Sequence, residues 1–297
     1  MFPSPFDGAS RSKTYPEAGD FRDVVAEECQ LRTLGGDLVG GMEHGVLSGD
    51  LLERAWDVFD WMKQFTGTGR TGYAGRPVGR RLKEDGSVSR SLAAMADDGP
   101  LPRGLLKSGQ EVRIASCPGG YMDRQGGRYP YCRAVKVTAE HPERWAVVGE
   151  VLQACAARFA QSFPDRYAIQ LGVANRAHPA WVIEGTPFTT IQVNNCVPAA
   201  YHRDAGDLKE GLGVMLVLRR GSFSGFELVM PEWGVALAPG DGSLVYFDPN
   251  AWHGNVLPSA ENEDWERISV VMYFRKKILG CLSPEREQER AKRRDAL

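Results

Sequence analysis

His202 and Asp204 lie two residues apart, and His253 and Arg267 follow further along the chain. On a β-strand, residues two apart point to the same face, so the first two side chains can bind one ion together. A distant histidine would complete a set of two imidazoles and one carboxylate, the facial arrangement that leaves positions open on a non-haem Fe(II). A later arginine can hold the far carboxylate of 2-oxoglutarate, because a guanidinium matches a carboxylate with two parallel hydrogen bonds.

A His-x-Asp pair alone is weak evidence, because chance produces it often. Its context strengthens it: His253 follows a β-rich run and a turn at 248–250, and Arg267 opens another run with Ser269 on the same face. Two alternatives remain at this point, a zinc site and a cupin-like metal-binding module without catalysis. The arginine disfavours both, because neither needs a partner for a dicarboxylate.

Composition limits the class of protein. The chain has 297 residues, 42% of them hydrophobic, which suffices for one large domain or two small ones, and its net charge of −2 indicates no general attraction to nucleic acid. The six cysteines are scattered without a CxxC pair, so we expect free thiols in a reducing cytosol rather than a zinc site or disulfides. The sequence contains neither a secretory h-region nor the roughly 20 consecutive apolar residues of a membrane helix.

Hydrophobic periodicity predicts helices at about 50–65, starting with a capping box of Asp50 and Glu53, and at about 142–162, starting with Pro142. From residue 186 the pattern changes to short β-rich runs separated by turn residues, at 188–195, 212–218, 225–230, 243–247, 252–257 and 267–275. Regular short strands without intervening helices indicate a sandwich or jelly roll, here in an α+β chain.

We therefore predict an N-terminal arm at 1–25, a single domain at 26–280 with its jelly-roll core at about 186–276, and a charged C-terminal tail at 281–297. Two intervals, about 66–92 and about 114–136, are rich in basic and aromatic residues. They are either solvated loops or loops that meet a phosphate backbone and stack on bases. The candidate DNA contacts are Tyr73, Tyr121, Tyr131, Arg76, Arg80 and Arg81.

The stretch from Thr186 to Phe274 resembles the TET/JBP family of 2-oxoglutarate- and Fe(II)-dependent nucleic-acid base dioxygenases. It is most like the short TET-like 5-methylcytosine dioxygenases of phages, bacteria and fungi. The segments that carry the resemblance are TPFTTIQVNN, AYHRDAGDLKEGLGVMLVL, GFELVMP, GDGSLVYFDPNAWHGN and ERISVVMYF.

This resemblance implies a double-stranded β-helix with supporting N-terminal helices. It implies that Fe(II) binds the His202, Asp204 and His253 side chains, and that O₂ and 2-oxoglutarate are cosubstrates. Arg267 and Ser269 would bind the distal carboxylate of 2-oxoglutarate. Family members hold its other end with an upstream arginine, for which Arg133 is the candidate.

The resemblance also implies a target base that is flipped out of the DNA, with the tyrosines of the two basic intervals stacking on it or replacing it. In TET enzymes a polar residue three positions after the metal-binding aspartate reads the base. Here that residue is Asp207, where animal TETs carry an amide. A carboxylate can accept a hydrogen bond from the cytosine amine, whereas it would repel the thymine carbonyl, so we expect 5-methylcytosine.

Two alternatives stay open: a thymine hydroxylase acting in DNA, and a 2-oxoglutarate oxygenase of a small molecule or protein. We expect a monomer in the cytoplasm of a bacterial or phage-infected cell, with DNA containing 5-methylcytosine as its partner and no membrane association.

Overall fold

The computed structural model describes residues 6–12, 14–65, 115–125, 129–204, 206–208, 210–261 and 264–295, with the backbone of four short strands between 81 and 113. The helices in this part of the chain are α1 (Gly8–Arg11), α2 (Gly49–Trp61), α3 (Lys136–Glu140), α4 (Pro142–Ser162), α5 (Pro164–Ala174) and α6 (Pro284–Asp295). No helix among the described residues is long and apolar enough to cross a membrane.

The strands are β1 (Asp23–Val25), β2 (Cys29–Arg32), β3 (Leu38–Glu43), β4 (Arg81–Leu82), β5 (Val88–Ser89), β6 (Arg103–Leu105), β7 (Glu111–Arg113), β8 (Ala115–Met122), β9 (Arg133–Ala134), β10 (Thr190–Asn195), β11 (Gly213–Arg220), β12 (Leu228–Met230), β13 (Val235–Leu237), β14 (Ser243–Phe247), β15 (Gly254–Asn255) and β16 (Glu266–Tyr273).

Two sheets build the core. The large sheet has the order β2-β3-β14-β11-β16-β10-β8-β9, and its neighbouring strands are all antiparallel. The small sheet has the order β1-β13-β12-β15, and the segment 199–202 runs along the free side of β15. This pairing of β10-β16-β11-β14 against the short strands is a double-stranded β-helix, which confirms the predicted jelly roll.

Successive side chains of a strand point to opposite faces of the large sheet, so the core has two layers, one on each face. On β16, Ile268, Val270 and Met272 pack with α2 and α4 on the outer face of the large sheet. On the opposite face, side chains of β11 and β14 pack against β12 and β13 of the small sheet. Because side chains alternate, Arg267 and Ser269 share the inner face of β16, between the two sheets.

The helix predicted at about 142–162 is α4, and the helix predicted at about 50–65 is α2 followed by a 3₁₀ turn at Met62–Phe65. The predicted capping box is wrong, because Ser48 is the N-cap of α2 and makes no side-chain cap bond. The interval 114–136 is not simply a DNA-facing loop, because β8 forms part of the large sheet between β10 and β9.

The expectation of free cysteines throughout is also wrong. Cys132 and Cys281 form a disulfide, with a sequence separation of 149 and a Cα–Cα distance of 5.8 Å. Sequence spacing gives no signal for such a pair, since only the fold brings the start of β9 close to the C-terminal segment. The other cysteines are free, and burial raises the pKa of the Cys117 and Cys155 thiols to about 12, so both stay protonated and unreactive.

Candidate metal and cosubstrate site

The predicted triad assembles at one end of the jelly roll. His202 and His253 form an isolated antiparallel pair, in which each backbone N–H donates to the other's carbonyl at 3.0 and 3.1 Å. Asp204 is positioned by its own N–H, which donates to the Pro249 carbonyl at 2.8 Å. One ligand atom from each of the three side chains lies within 4.8 Å of the other two, so a single ion can bind all three.

Both imidazoles are oriented for metal binding by the backbone. Nδ1 of His202 lies 2.8 Å from the Ala200 carbonyl, and Nδ1 of His253 lies 3.0 Å from the Ala251 carbonyl. A carbonyl only accepts hydrogen bonds, so each Nδ1 carries a proton and Nε2 is the ring nitrogen left to face the ion. The two Nε2 atoms face the Asp204 carboxylate, at 3.3 and 3.5 Å from its two oxygens.

The electrostatics favour an ionised carboxylate at the centre of the triad. Burial raises the pKa of Asp204, but hydrogen bonds and charge interactions with both histidines outweigh it and hold the pKa well below its usual range. Burial lowers the pKa of His202, and the bonds to Asp204 and to the Ala200 carbonyl overcome that effect and raise it. Asp204 is therefore ionised, as a carboxylate that binds a metal ion must be.

The donor set fits Fe(II). Two imidazole nitrogens and one carboxylate oxygen lie on one side of the prospective ion, and this triad with open positions is typical of non-haem iron oxygenases. The Asp204 side chain is 29% exposed and that of His253 only 5%, so the site opens on the aspartate side. Phe247 closes the other side, with its ring centroid 4.8 Å from that of His253.

Arg267 is the second distinctive feature of the site. It is 1% exposed, and its Nη1 is buried without a hydrogen-bond partner. Its Nη2 reaches only the Met215 sulfur, at 4.0 Å, and its guanidinium lies 4.7 Å from the Phe226 ring centroid. Burial lowers its pKa to about 10, which leaves it charged at neutral pH.

A buried charge without a partner is costly, so a guanidinium in this position calls for an anionic ligand. No carboxylate among the described residues lies in ion-pair contact with Arg267. Ser269, 3% exposed, is the next residue on the same face of β16. The distal carboxylate of 2-oxoglutarate would satisfy the orphaned guanidinium, so these residues fit the cosubstrate.

Asp207 is partly buried, and its backbone pairs with that of Arg275 just beyond β16. The Arg275 guanidinium bonds Asp123, at 2.8 Å from Nε. Next to this pair, the Lys276 N–H donates to the Gly206 carbonyl at 3.2 Å, and the Lys276 and Lys277 side chains are exposed. Sequence reasoning missed both lysines because nothing in their local pattern relates them to the triad.

Three further predicted residues lie on or beside β8 and β9. Arg133 lies on β9, at the edge of the large sheet and three strands from β16, with its guanidinium 3.7 Å from the Tyr129 ring centroid. The Tyr131 ring packs edge-on against that of Tyr129 at 6.0 Å, and the Tyr121 ring packs edge-on against Trp181 at 5.7 Å. Their proposed roles stay predictions.

The remaining candidates belong to the first basic interval. Tyr73, Arg76 and Arg80 lie outside the described residues, and of Arg81 only the backbone is described, paired with Ser89 in a short hairpin of β4 and β5.

A jelly roll that combines an open His–Asp–His triad with an orphaned buried arginine defines a class, the non-haem iron oxygenases that use a 2-oxo acid as cosubstrate.

Comparison with known proteins narrows this class. Residues 117–276 match Tet_JBP, the oxygenase domain of the 2OGFeDO superfamily. Thymine dioxygenase JBP1 of Trypanosoma brucei brucei is 31% identical over 195 residues, covering 64% of this chain and 23% of that protein. Thymine dioxygenase JBP1-B of Trypanosoma cruzi is 32% identical over 219 residues, covering 70% and 26%. The chain thus spans about a quarter of the length of these relatives.

Among solved structures, NgTET1 in complex with 5mC DNA has the same fold, with a TM-score of 0.58 at 11% identity over 91% of this chain and 86% of that one. The chain belongs to the Tet_JBP family. Its domain is a 2-oxoglutarate- and Fe(II)-dependent dioxygenase, with Fe(II), 2-oxoglutarate and O₂ as its cofactor and cosubstrates.

Proposed function

We propose that the protein hydroxylates the methyl group of 5-methylcytosine in DNA, giving 5-hydroxymethylcytosine. Membership of the Tet_JBP family supports action on a methylated pyrimidine base, because the relatives described above are named for thymine oxidation and the structural neighbour was solved with 5mC DNA. The assembled triad and the orphaned arginine support the oxidative chemistry.

Fe(II), O₂ and 2-oxoglutarate together supply the oxidant that converts the methyl C–H into C–OH, while the cosubstrate leaves as succinate and CO₂. His202, Asp204 and His253 would hold the iron, and their backbone-fixed tautomers need no rearrangement for it. Arg267 and Ser269 would bind the distal carboxylate of the cosubstrate, and Arg133 remains the candidate for its other end. Phe247 packs against the His253 ring and would help to keep water from that side of the site.

A methyl group inside a DNA duplex cannot reach a site recessed between two sheets, so the base must be flipped into it. The Asp204 side offers the entrance, because it is the exposed side of the triad. The exposed Lys276 and Lys277 stand beside this entrance, since the Lys276 backbone is bonded to Gly206, two residues after Asp204. They are suited to hold phosphates on either side of a flipped nucleotide.

Our choice of 5-methylcytosine over thymine rests on the position of Asp207. It lies three residues after a metal ligand, is partly buried and is tied through its backbone to the end of β16. An ionised carboxylate accepts a hydrogen bond from the exocyclic amine of 5-methylcytosine. The thymine O4 in the same place is itself an acceptor, so the pair would repel.

Thymine in DNA is the second candidate substrate, and the relatives favour it. Both Trypanosoma proteins described above are named thymine dioxygenases, at 31% and 32% identity. Thymine and 5-methylcytosine carry the methyl group on the same ring atom, so the iron chemistry is the same for both. Only the groups that read N3 and the substituent on C4, next to the methyl-bearing carbon, distinguish them.

The test is mass spectrometry of nucleosides from two duplexes that differ only in carrying one 5-methylcytosine or one thymine at the target position. We expect the wild type to oxidise 5-methylcytosine faster. Asp207→Ala should cost about 1–3 kcal/mol in kcat/KM on 5-methylcytosine, the value of one base-reading contact. Asp207→Asn should raise the relative rate on thymine, because an amide can donate to O4.

Asp165→Asn is the matched control, an exposed aspartate in the first turn of α5, and it should leave both rates unchanged. A wild type that oxidises thymine as readily as 5-methylcytosine would make thymine the substrate. An Asp207→Asn variant with unaltered preference would assign Asp207 to capping its own turn instead.

A further inference from the structure

Tyr201, the residue before the first metal ligand, connects the triad to the N-terminal arm. Its ring is fully buried, and its hydroxyl donates to Oδ2 of Asp20 at 3.1 Å. Its backbone N–H donates to the Thr14 carbonyl at 2.8 Å. The segment that carries His202 is therefore bound to the arm by both a side-chain and a backbone hydrogen bond.

The Asp20 carboxylate is itself firmly held. Arg11 donates to both of its oxygens, at 2.8 and 2.5 Å, in a two-pronged ion pair. The Glu17 N–H donates to Oδ2 at 2.9 Å. With Tyr201 added, the carboxylate accepts four hydrogen bonds, so Asp20 is a rigid anchor rather than a mobile surface acid.

The arm has a second contact, behind the third metal ligand. The Phe6 ring lies edge-on to Tyr201 at 4.8 Å and to Trp252 at 6.3 Å. Gly8 lies directly against the indole of Trp252, where a Cβ would come within 2.0 Å of Nε1. Only glycine permits this approach, so the arm is fitted to the residue that precedes His253.

These contacts lie against the backbone that carries the two histidines, which has little strand pairing of its own. His202 and His253 are joined by one isolated backbone pair, and β15 beyond it has only two residues. Side chains alternate along extended backbone, so Tyr201 and Trp252 project away from the imidazoles that flank them. The arm thus covers the back of the pair that presents both imidazoles.

We propose that the cluster of Arg11, Asp20 and Tyr201 positions the metal site. The arm holds the His202–His253 pair in the geometry that binds the ion, and without this anchor the pair frays and the two Nε2 atoms diverge. Arg11, Asp20 and Tyr201 are positioning residues, since they act through the backbone of the ligands. This proposal rests on iron binding to the triad and is independent of which base is oxidised.

The chain contains a matched control for this cluster. Tyr246 is also fully buried, its hydroxyl donates to Glu43 at 2.7 Å, and Arg158 pairs with the same carboxylate at 3.2 Å. The chemistry is the same, a buried tyrosine bonded to a carboxylate held by an arginine. This second cluster lies on the helix side of the large sheet, where Tyr246 packs with α4.

The experiment compares Asp20→Asn with Glu43→Gln. Fe(II) is titrated anaerobically into each protein with 2-oxoglutarate present, and binding is followed by the visible absorption of the ternary complex. Thermal unfolding of the metal-free proteins gives the cost in stability separately. We expect both variants to lose stability. Asp20→Asn should weaken Fe(II) binding about tenfold or more, as for groups that orient metal ligands, and Glu43→Gln should leave it close to wild type.

Tyr201→Phe and Tyr246→Phe form a second matched pair, in which only the hydroxyl is removed. They test the proposal on their own if Asp20→Asn does not fold. Equal Fe(II) affinity in the Tyr201→Phe, Asp20→Asn and wild-type proteins would overturn the proposal. So would equal losses of affinity in both members of a pair, because that pattern would reflect general destabilisation. A wild type that binds no Fe(II) would refute the triad itself.

Discussion

At the scale of single residues, Arg267 has the clearest expected phenotype, because its buried Nη1 lacks a partner. Arg267→Ala should weaken 2-oxoglutarate binding by about 2–5 kcal/mol, the cost of removing one member of a buried, hydrogen-bonded charge pair. Arg267→Lys should recover only part of this, because an ammonium cannot form the two-pronged contact. A 2-oxoglutarate titration of the Fe(II)-loaded protein, followed by absorbance, measures both.

Arg220→Ala serves as the control for this prediction. Arg220 ends β11, is exposed and pairs with Glu53 at 2.6 Å, so its loss should leave 2-oxoglutarate affinity unchanged. If Arg267→Ala binds the cosubstrate as tightly as wild type, the buried guanidinium has another partner and the assignment of this residue fails.

The residues that touch the ion could be predicted from sequence, whereas those that support them could not. His202 and Asp204 are metal-binding residue types at a strand spacing, with a second histidine further along the chain, and this combination limits the chemistry. Tyr201 and Asp20 are common types, separated by 181 positions, and their hydrogen bond exists only in the folded protein. Lys276 likewise meets the segment that follows Asp204 only in the folded protein, through a backbone bond to Gly206.

At the scale of elements, the disulfide between Cys132 and Cys281 joins the start of β9 to the segment before α6. The same junction is held by Glu287 of α6, which is 1% exposed and accepts from the Cys132 and Leu282 N–H groups and from Arg124. The charged tail predicted at 281–297 is therefore a docked helix whose buried glutamate belongs to the fold.

We expect the disulfide to stabilise the protein by about 2–5 kcal/mol, as for a native bridge that closes a long loop. Urea unfolding of the wild type with and without a phosphine reductant measures this difference. A variant with both Cys132→Ser and Cys281→Ser should match the reduced wild type and should not respond to the reductant. Identical unfolding curves for the oxidised and reduced wild type would show that the bridge adds nothing to stability.

Most jelly-roll strands coincide with the hydrophobic runs, and β14 has the predicted bounds, 243–247. The strands β1 to β3 were not predicted. β1 is short and mostly exposed, and β3 contains Gly40 and Gly41, which weaken a strand signal. These glycines are required by close packing, because a Cβ at Gly40 would lie 2.6 Å from the Tyr246 carbonyl oxygen.

At the scale of the whole molecule, the net charge of −2 means that the proposed binding of DNA would depend on local basic residues. Replacing Lys276 and Lys277 together with Ser should weaken binding to a methylated duplex and reduce the slope of log affinity against log salt by about 1–2 units. Fluorescence anisotropy over a range of salt concentrations measures both. Whether the interval at about 66–92 contributes remains a prediction, since its side chains lie outside the described residues.

Arg54→Ser combined with Arg220→Ser is the control for this pair. These arginines make ion pairs with Glu150 and Glu53 on the helix side of the large sheet, so the salt slope should not change. If the control lowers the salt slope as much as the lysine variant does, DNA binding depends on the overall charge of the protein and not on Lys276 and Lys277 in particular.

The antiparallel pairing of His202 with His253 also determines when the site comes into existence. Four strands, β11 to β14, lie in the chain between the two histidines, so their pairing is a contact between distant parts of the sequence. Such non-local closure is slow and occurs late in folding. The complete set of three ligands therefore exists only where this long-range pairing has formed. An ion held by all three side chains would stabilise the folded protein relative to the unfolded chain, because its full ligand set exists only in the native state.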